Sequence, residues 1–176
     1  MEKSEGIIIR LTKLTETSLI VHWCTEQHGL LKTVAKGARR NKSVYAGKLD
    51  LFYQAEFCWR RSAKSELHTL TELQVVDFRE SLRKTYADTI LAAYFGELLS
   101  LVIEPDHAVP EFYDLLVRGL KFISEGKADM RGMLHYENEI ARLLGIASTG
   151  MSAKSMIEQN YGALPRCRDT CYGLLH

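Results

Sequence analysis

Six lysine and arginine side chains fall within 17 consecutive residues that contain no aspartate or glutamate. They are Lys32, Lys36, Arg39, Arg40, Lys42 and Lys48, and residues 32–48 are called the basic stretch below. Lysines and arginines at this density neutralise phosphates and release the counterions that a nucleic acid holds, so binding is sensitive to salt and largely independent of sequence. The basic stretch therefore predicts a surface that binds a polyanion.

The residues between these charges suit close approach to a polymer backbone. Gly37 and Gly47 bound the central part of the stretch, and small side chains lie between them. Tyr45, or Phe52 just beyond the stretch, is a candidate for stacking on a base. The same charges could belong to an ordinary solvated loop with no ligand. They could also bind an acidic protein surface or an anionic membrane, although no amphipathic basic helix accompanies them.

Charge is divided unevenly along the chain. Residues 1–64 carry 12 Lys and Arg against 6 Asp and Glu, a net charge of +6. Residues 65–176 carry 11 against 16, a net charge of −5. Such asymmetry indicates that the first part binds a polyanion and that the second part does something else.

The elements that must position these charges are strands. Apolar and polar residues alternate, which predicts strands at 6–12, 18–25, 30–36, 49–59 and 66–76. Five strands with a longer connection between the third and fourth predict an OB-type β-barrel, a fold that commonly binds single-stranded nucleic acid. Lys32 and Lys36 then share one strand face, and the other charges lie on the loop that follows.

After the fifth strand the apolar period changes to that of helices. Asp77, with Glu80 three residues on, predicts a helix N-cap, and Pro105 ends that helix. Further helices are predicted at 110–126, 129–144 and 152–161. The predicted fold class is α+β in two parts: an OB-fold domain at residues 1–76, then an all-α helical bundle at residues 77–176 with a short C-terminal tail.

The chain shows neither a secretory signal nor a membrane span. Its first residues are polar, and the apolar run at 90–103 is too short to cross a bilayer. We therefore expect a cytoplasmic protein whose four cysteines are free thiols.

Catalysis is not expected. His22, Cys24 and His28 are close in sequence, but no acidic residue accompanies them to orient a Cys–His pair. No phosphate-cradling glycine loop of the Walker or dinucleotide type is present. We assign no catalytic residue.

The segment Gly-Leu-Leu-Lys-Thr-Val-Ala-Lys-Gly-Ala-Arg-Arg-Asn-Lys-Ser at 29–43 resembles the signature segment of the bacterial recombination mediator family RecO. Residues 15–21 and 67–72 are similar to the strands before and after that segment in the family. Residues 136–145 are similar to a later helix of the family. The resemblance covers roughly residues 5–146.

The resemblance implies an N-terminal OB domain that binds single- and double-stranded DNA, followed by a helical domain. Such proteins anneal complementary strands, work with the single-strand-binding protein SSB and with RecR, and help to load RecA on SSB-coated DNA during recombinational repair, in the bacterial cytoplasm and at the nucleoid. Lys36, Arg39, Arg40 and Lys42 would contact phosphates. The C-terminal tail of SSB would dock in the helical domain, where no residue can be matched.

The C-terminal region departs from the family pattern. Many members hold zinc with two Cys-x-x-Cys pairs, whereas this chain has Cys167 and Cys171 with three residues between them. Four zinc ligands could be assembled from Cys167, Cys171 and His176 with His135 or Asp169, but their spacing is not typical of a zinc site. We expect no zinc and no other cofactor. The chain also ends before the family's further helices, which puts the expected contact with RecR in question.

Two other functions suit the same residues. The barrel of a protein-interaction adaptor would recognise an acidic partner tail through the basic stretch. An RNA-binding OB protein would differ by preferring RNA over DNA of equal length. For the main hypothesis the predicted nucleic-acid contacts are Lys32, Lys36, Arg39, Arg40, Lys42, Tyr45 and Lys48.

Overall fold

A closed barrel of five strands forms the first part of the chain in the computed structural model, which describes residues 1–175. The strands are β1 (Glu2–Lys13), β2 (Leu19–Thr25), β3 (Gly29–Ala35), β4 (Gln54–Arg60) and β5 (Leu67–Asp77). Their order around the barrel is β1-β2-β3-β5-β4, and β4 pairs with β1 to close it. Strands β3 and β5 are parallel, and the other pairs are antiparallel. The predicted OB-type barrel, followed by helices, is confirmed.

The barrel interior is filled by side chains. Trp23 stacks on Phe57 with 4.0 Å between ring centroids, and its indole N–H donates to Thr33 Oγ1 at 2.9 Å. The indole N–H of Trp59 donates to Ser4 Oγ at 3.0 Å, so both buried tryptophans have a hydrogen-bond acceptor. Because the interior is packed, a large ligand must bind on the outside of the barrel.

The fourth strand is shorter than predicted. It begins at Gln54 instead of residue 49, because Phe52 adopts a positive φ of 69° that interrupts an extended backbone. The Phe52 N–H donates to Ile8 O at 2.7 Å, and its side chain is only 2% exposed. The prediction that Phe52 could stack on a base is therefore wrong, since its ring is buried.

The first helix also begins later than predicted. The Asp77 carboxylate accepts the Arg79 N–H at 2.8 Å, so it closes a local turn and does not cap a helix. A short 3-10 helix follows at Glu80–Arg83, and α1 begins at Tyr86. The hydroxyl of Thr85 accepts the Asp88 N–H at 3.0 Å in the manner of an N-cap.

Five α-helices follow the barrel. They are α1 (Tyr86–Val102), α2 (Pro110–Ser124), α3 (Met130–Leu143), α4 (Ala153–Tyr161) and α5 (Cys167–Leu174). The predicted starts of α2, α3 and α4 are confirmed, and Asp129 and Ser152 cap α3 and α4 through their side chains. The sequence pattern did not indicate α5. Within residues 1–175, each helix is too short or too polar to cross a membrane.

The chain divides into two compact units. The barrel unit contains residues 1–79 and also 103–110, and the helical unit contains residues 80–102 and 111 onwards. In the barrel unit the Asp106 N–H donates to Leu30 O at 3.0 Å, and Pro105 forms a bridge with Leu30. No sequence signal indicated that this connection between α1 and α2 folds with the strands.

A buried ion pair lies inside the helical unit. Glu137 is 1% exposed and accepts two hydrogen bonds from the Arg168 guanidinium, from Nε at 2.7 Å and Nη2 at 3.1 Å. The Tyr94 hydroxyl donates to the same carboxylate at 2.7 Å, and burial together with that carboxylate raises the pKa of Tyr94. Three hydrogen bonds thus satisfy this buried charge and join α1, α3 and α5.

Candidate nucleic-acid interface

The basic stretch forms an ordered loop between β3 and β4. Several backbone N–H groups donate to the carbonyl three residues earlier, from Arg40 to Gly37 at 3.0 Å and from Ser43 to Arg40 at 3.1 Å. Two more such bonds continue the series as far as residue 48. Gly37 and Gly47 have φ values of 70° and 71°, which other residues rarely adopt. The loop conformation is therefore set by its own backbone.

Two contacts fasten this loop to the barrel. The Tyr45 ring is 7% exposed and its hydroxyl donates to Leu70 O on β5 at 3.0 Å. The Arg39 N–H donates to Thr17 O at 3.0 Å, and its guanidinium Nη1 donates to Glu16 O at 3.2 Å. The prediction that Tyr45 stacks on a base is wrong, because its ring packs in the barrel core.

The loop presents exposed positive charge. Its five cations are exposed and form no ion pair with any described residue: Lys36, Arg39, Arg40, Lys42 and Lys48. Lys32 differs, since it lies on β3 and its Nζ is 3.6 Å from the Glu66 carboxylate. Lys36 follows directly after the last residue of β3. The structure therefore separates the predicted contacts into five loop cations and one strand cation.

A groove on the outer face of the barrel contains side chains that the sequence did not single out for binding. Strand pairing places Arg10 opposite His22 and His22 opposite Lys32, so the three residues form a row across β1, β2 and β3. The groove has a volume of about 530 Å³, and Ser65 and Glu66 from the β4–β5 connection also line it. The alternation of residues along β2 could have placed His22 on the outer face of the barrel. The position of Arg10 beside His22 depends on the pairing register of β1 with β2, which the sequence pattern does not give.

His22 and Cys24 are both uncharged at neutral pH. Burial, and then Arg10 and Lys32, lower the pKa of His22 to about 4, and its Nε2 lies 3.2 Å from Thr12 Oγ1. Burial raises the pKa of the Cys24 thiol to about 12. A thiolate paired with an imidazolium is therefore not available at these two positions.

Cys167 is a partly buried thiol of the helical unit, and Cys171 is a buried one. The Cys167 thiol donates to Glu97 Oε2 at 3.4 Å, and burial followed by that carboxylate raises its pKa to about 12. Burial raises the pKa of Cys171 to about 11. No three His, Cys, Asp or Glu side chains within residues 1–175 are grouped to hold a metal ion, and His176 lies outside the described residues.

The helical unit has an apolar groove of about 460 Å³ between α1, α2 and α3. Aromatic and aliphatic side chains form its walls: Phe95, Leu115, Phe122 and Tyr136. Arg118, Arg131 and His135 also line it, and Arg118 is paired with Asp114 at 2.8 Å. Asp129 lines it as well, and its carboxylate accepts the Gly132 N–H at 2.7 Å. The groove therefore combines an apolar surface with three basic side chains and one acidic side chain, and the sequence pattern did not indicate it.

Comparison with known proteins identifies relatives of this chain. Residues 1–79 match the family model described as Recombination protein O N terminal. The chain is similar to proteins named DNA repair protein RecO from Listeria monocytogenes serotype 4a (strain HCC23), with 32% identity over 149 residues, and from Syntrophus aciditrophicus, with 27% over 145 residues.

These alignments cover most of this chain and a smaller share of the relatives. They include 85% and 82% of the chain, but 58% and 56% of the Listeria and Syntrophus proteins. A relative from Bacillus pumilus is 32% identical over 124 residues, which is 70% of this chain and 48% of that protein. The family match, the relatives and the five-stranded barrel agree with one another, and the chain is similar to proteins of the RecO family.

Proposed function

We propose that this protein is a DNA-binding recombination mediator in DNA repair. The observation that carries the proposal is the hydrogen-bonded loop with five exposed cations that form no ion pair with any residue in 1–175. The match of residues 1–79 to the RecO N-terminal family model supports it, as does the name of the similar proteins, DNA repair protein RecO. The chain spans 58% or less of the length of these relatives, so their whole activity is carried over only as part of this proposal.

The loop would bind phosphates and would bring two strands together. Phosphate contacts carry no base information, so both single- and double-stranded DNA are expected ligands. Positive charge between two strands lowers their mutual repulsion, which favours annealing without any cofactor. Because the loop is already held by backbone hydrogen bonds, it would lose little conformational entropy on binding.

The salt dependence of binding tests this proposal. With about five phosphate contacts, a plot of log affinity against log salt for a single-stranded oligonucleotide should have a slope of roughly −3.5. Fluorescence anisotropy of a labelled oligonucleotide over a series of salt concentrations measures the slope. A flat response would contradict phosphate binding, and a clear preference for RNA over DNA of equal length would favour the RNA-binding alternative.

Annealing tests the mediator role separately from binding. The protein is expected to speed the pairing of two complementary oligonucleotides, both free and coated with SSB. Protein that binds DNA but accelerates neither reaction would be a binding protein only. Contact with RecR and delivery of DNA to RecA belong to the same proposal, and no described residue is assigned to them.

We also propose that the groove of the helical unit receives the acidic C-terminal tail of SSB. Its apolar walls suit an aromatic side chain, and Arg131 and His135 suit a terminal or acidic carboxylate. Arg131 is exposed and forms no ion pair with any residue in 1–175, so its guanidinium is available to a ligand.

Charge reversal in this groove should weaken peptide binding. The variant Arg131→Glu is expected to bind a labelled acidic peptide ending in Phe about fivefold or more weakly, because attraction becomes repulsion. Arg142→Glu, on the same helix but outside the groove, is the matched control and should bind as the wild type does. Equal loss in both variants would contradict the assignment, and competition by DNA would favour the barrel adaptor alternative.

A further inference from the structure

The row formed by Arg10, His22 and Lys32 has the features of a phosphate-binding surface. Three adjacent strands contribute one side chain each to the outer face of the barrel. Strands lie about 4.8 Å apart, so the row extends over roughly 10 Å. The next row, Thr12, Ile20 and Val34, places half-buried and largely apolar side chains beside it. A charged row beside a largely apolar row suits a phosphodiester backbone with its sugars or bases.

One carboxylate faces this row. Glu66 lies in the connection between β4 and β5, and its Oε2 is 3.6 Å from Lys32 Nζ. Its side chain is 69% exposed, whereas that of Lys32 is 34% exposed. The carboxylate can therefore move into solvent at little cost, but while it is paired it offsets the charge of Lys32.

We propose that Arg10, His22 and Lys32 form a second phosphate-binding subsite for single-stranded DNA, and that Glu66 occupies this subsite until a phosphodiester displaces its carboxylate from Lys32. The proposal rests on the function proposed above, because it adds contacts for the same ligand. This subsite uses other residues than the loop does, and a carboxylate of the protein itself, Glu66, competes with DNA for it.

The three side chains of the row would act differently. Arg10 and Lys32 supply the positive charge. His22 is uncharged at neutral pH, because burial and its two cationic neighbours lower its pKa to about 4, so it contributes only a hydrogen-bonding group. The groups that face His22 are Arg10 and Thr12 on β1, Lys32 on β3, and Ser65 and Glu66 on the β4–β5 connection.

Removal of the competing carboxylate should strengthen DNA binding. Glu66→Gln is expected to bind a single-stranded oligonucleotide about two- to fivefold more tightly, which matches the usual contribution of an exposed ion pair. The matched control is Glu56→Gln, because Glu56 also pairs with a lysine of the outer barrel face, Lys3, at 2.6 Å. That pair borders a different groove, formed on β1, β4 and β5, so its loss should leave DNA affinity unchanged.

The salt slope tests the two cations directly. Arg10→Gln/Lys32→Gln should reduce the steepness of the salt slope by about 1.4, since each lost contact to single-stranded DNA removes about 0.7. Lys3→Gln should leave the slope as in the wild type. The side chains of Glu66 and Glu56 are exposed, so both glutamine variants are expected to fold, and thermal unfolding checks this.

The outcomes separate this inference from the loop proposal. If Glu66→Gln and Glu56→Gln bind DNA equally, or if the Arg10/Lys32 variant keeps the wild-type slope, the second subsite is wrong. Reversal of Arg39 and Arg40 tests the loop without touching this row. Loss of binding there, with no effect of Glu66→Gln, would overturn the subsite and leave the proposed function in place.

Discussion

Reversal of charge at Arg39 and Arg40 together is expected to weaken binding of single-stranded DNA by about 100-fold at 0.1 M salt. Each phosphate contact contributes about fivefold at this concentration relative to 1 M salt, so two lost contacts account for about 25-fold. Two glutamates beside the phosphates then add repulsion. The loss should be independent of base sequence, because the loop contacts are to the backbone. Fluorescence anisotropy with two oligonucleotides of unrelated sequence measures the loss of affinity and shows whether it depends on base sequence.

The salt slope should change in the same variant. Because two loop contacts are lost, the slope should become less steep by about 1.4. The control is Lys84→Glu/Lys121→Glu, which changes net charge by the same amount at two exposed positions of the helical unit. If this control weakens binding as much, affinity depends on overall charge, and the assignment to the loop is wrong.

Replacement of Glu137 by alanine is expected to destabilise the helical unit by about 3–5 kcal/mol. The Arg168 guanidinium would stay largely buried without its carboxylate, and the cost of an uncompensated buried charge has this size. The Tyr94 hydroxyl would lose its acceptor as well. Urea unfolding followed by far-UV circular dichroism reports on the helices, whereas fluorescence of Trp23 and Trp59 reports on the barrel.

An ion pair closer to the surface of the same helix provides the control for this result. Glu139 accepts two hydrogen bonds from Arg142, but the Arg142 side chain is 60% exposed, so Glu139→Ala should cost only a small part of what Glu137→Ala costs. Glu137→Leu combined with Arg168→Met should recover much of the lost stability, because it removes both buried charges. Similar losses for Glu137→Ala and Glu139→Ala would show that burial of the pair does not control stability.

Short-range features of the fold could be read from the sequence. The five strands, the starts of α2, α3 and α4, and the caps Asp129 and Ser152 depend on residues that are neighbours along the chain. The exposure of the loop cations was expected for the same reason, because lysine and arginine are rarely buried without a partner. The motif at 29–43 also indicated the family, since its residues are consecutive in the chain.

The burial of two aromatic residues near the loop could not be predicted from the sequence pattern. Tyr45 lies among polar and small residues, and Phe52 was expected on the strand face opposite the apolar set, yet both are buried. The Tyr45 hydroxyl reaches Leu70, which is 25 residues away, and Phe52 is held by a backbone bond to Ile8. Whether a loop aromatic faces solvent or core therefore depends on the closure of the barrel, which local pattern does not encode.

By itself, the sequence of this protein determined the class of fold, the order of its elements and the position of its loop cations, because charge, periodicity and capping act over a few residues. Only the tertiary structure placed Arg10, His22 and Lys32 in one row, since strand register is set by pairing between distant segments. Tertiary structure likewise buried Glu137 against Arg168, 31 residues away. The positive charge of the basic stretch was evident from the sequence. Only the folded barrel separated it into five loop cations that form no ion pair within residues 1–175 and one strand cation, Lys32, that is paired with Glu66.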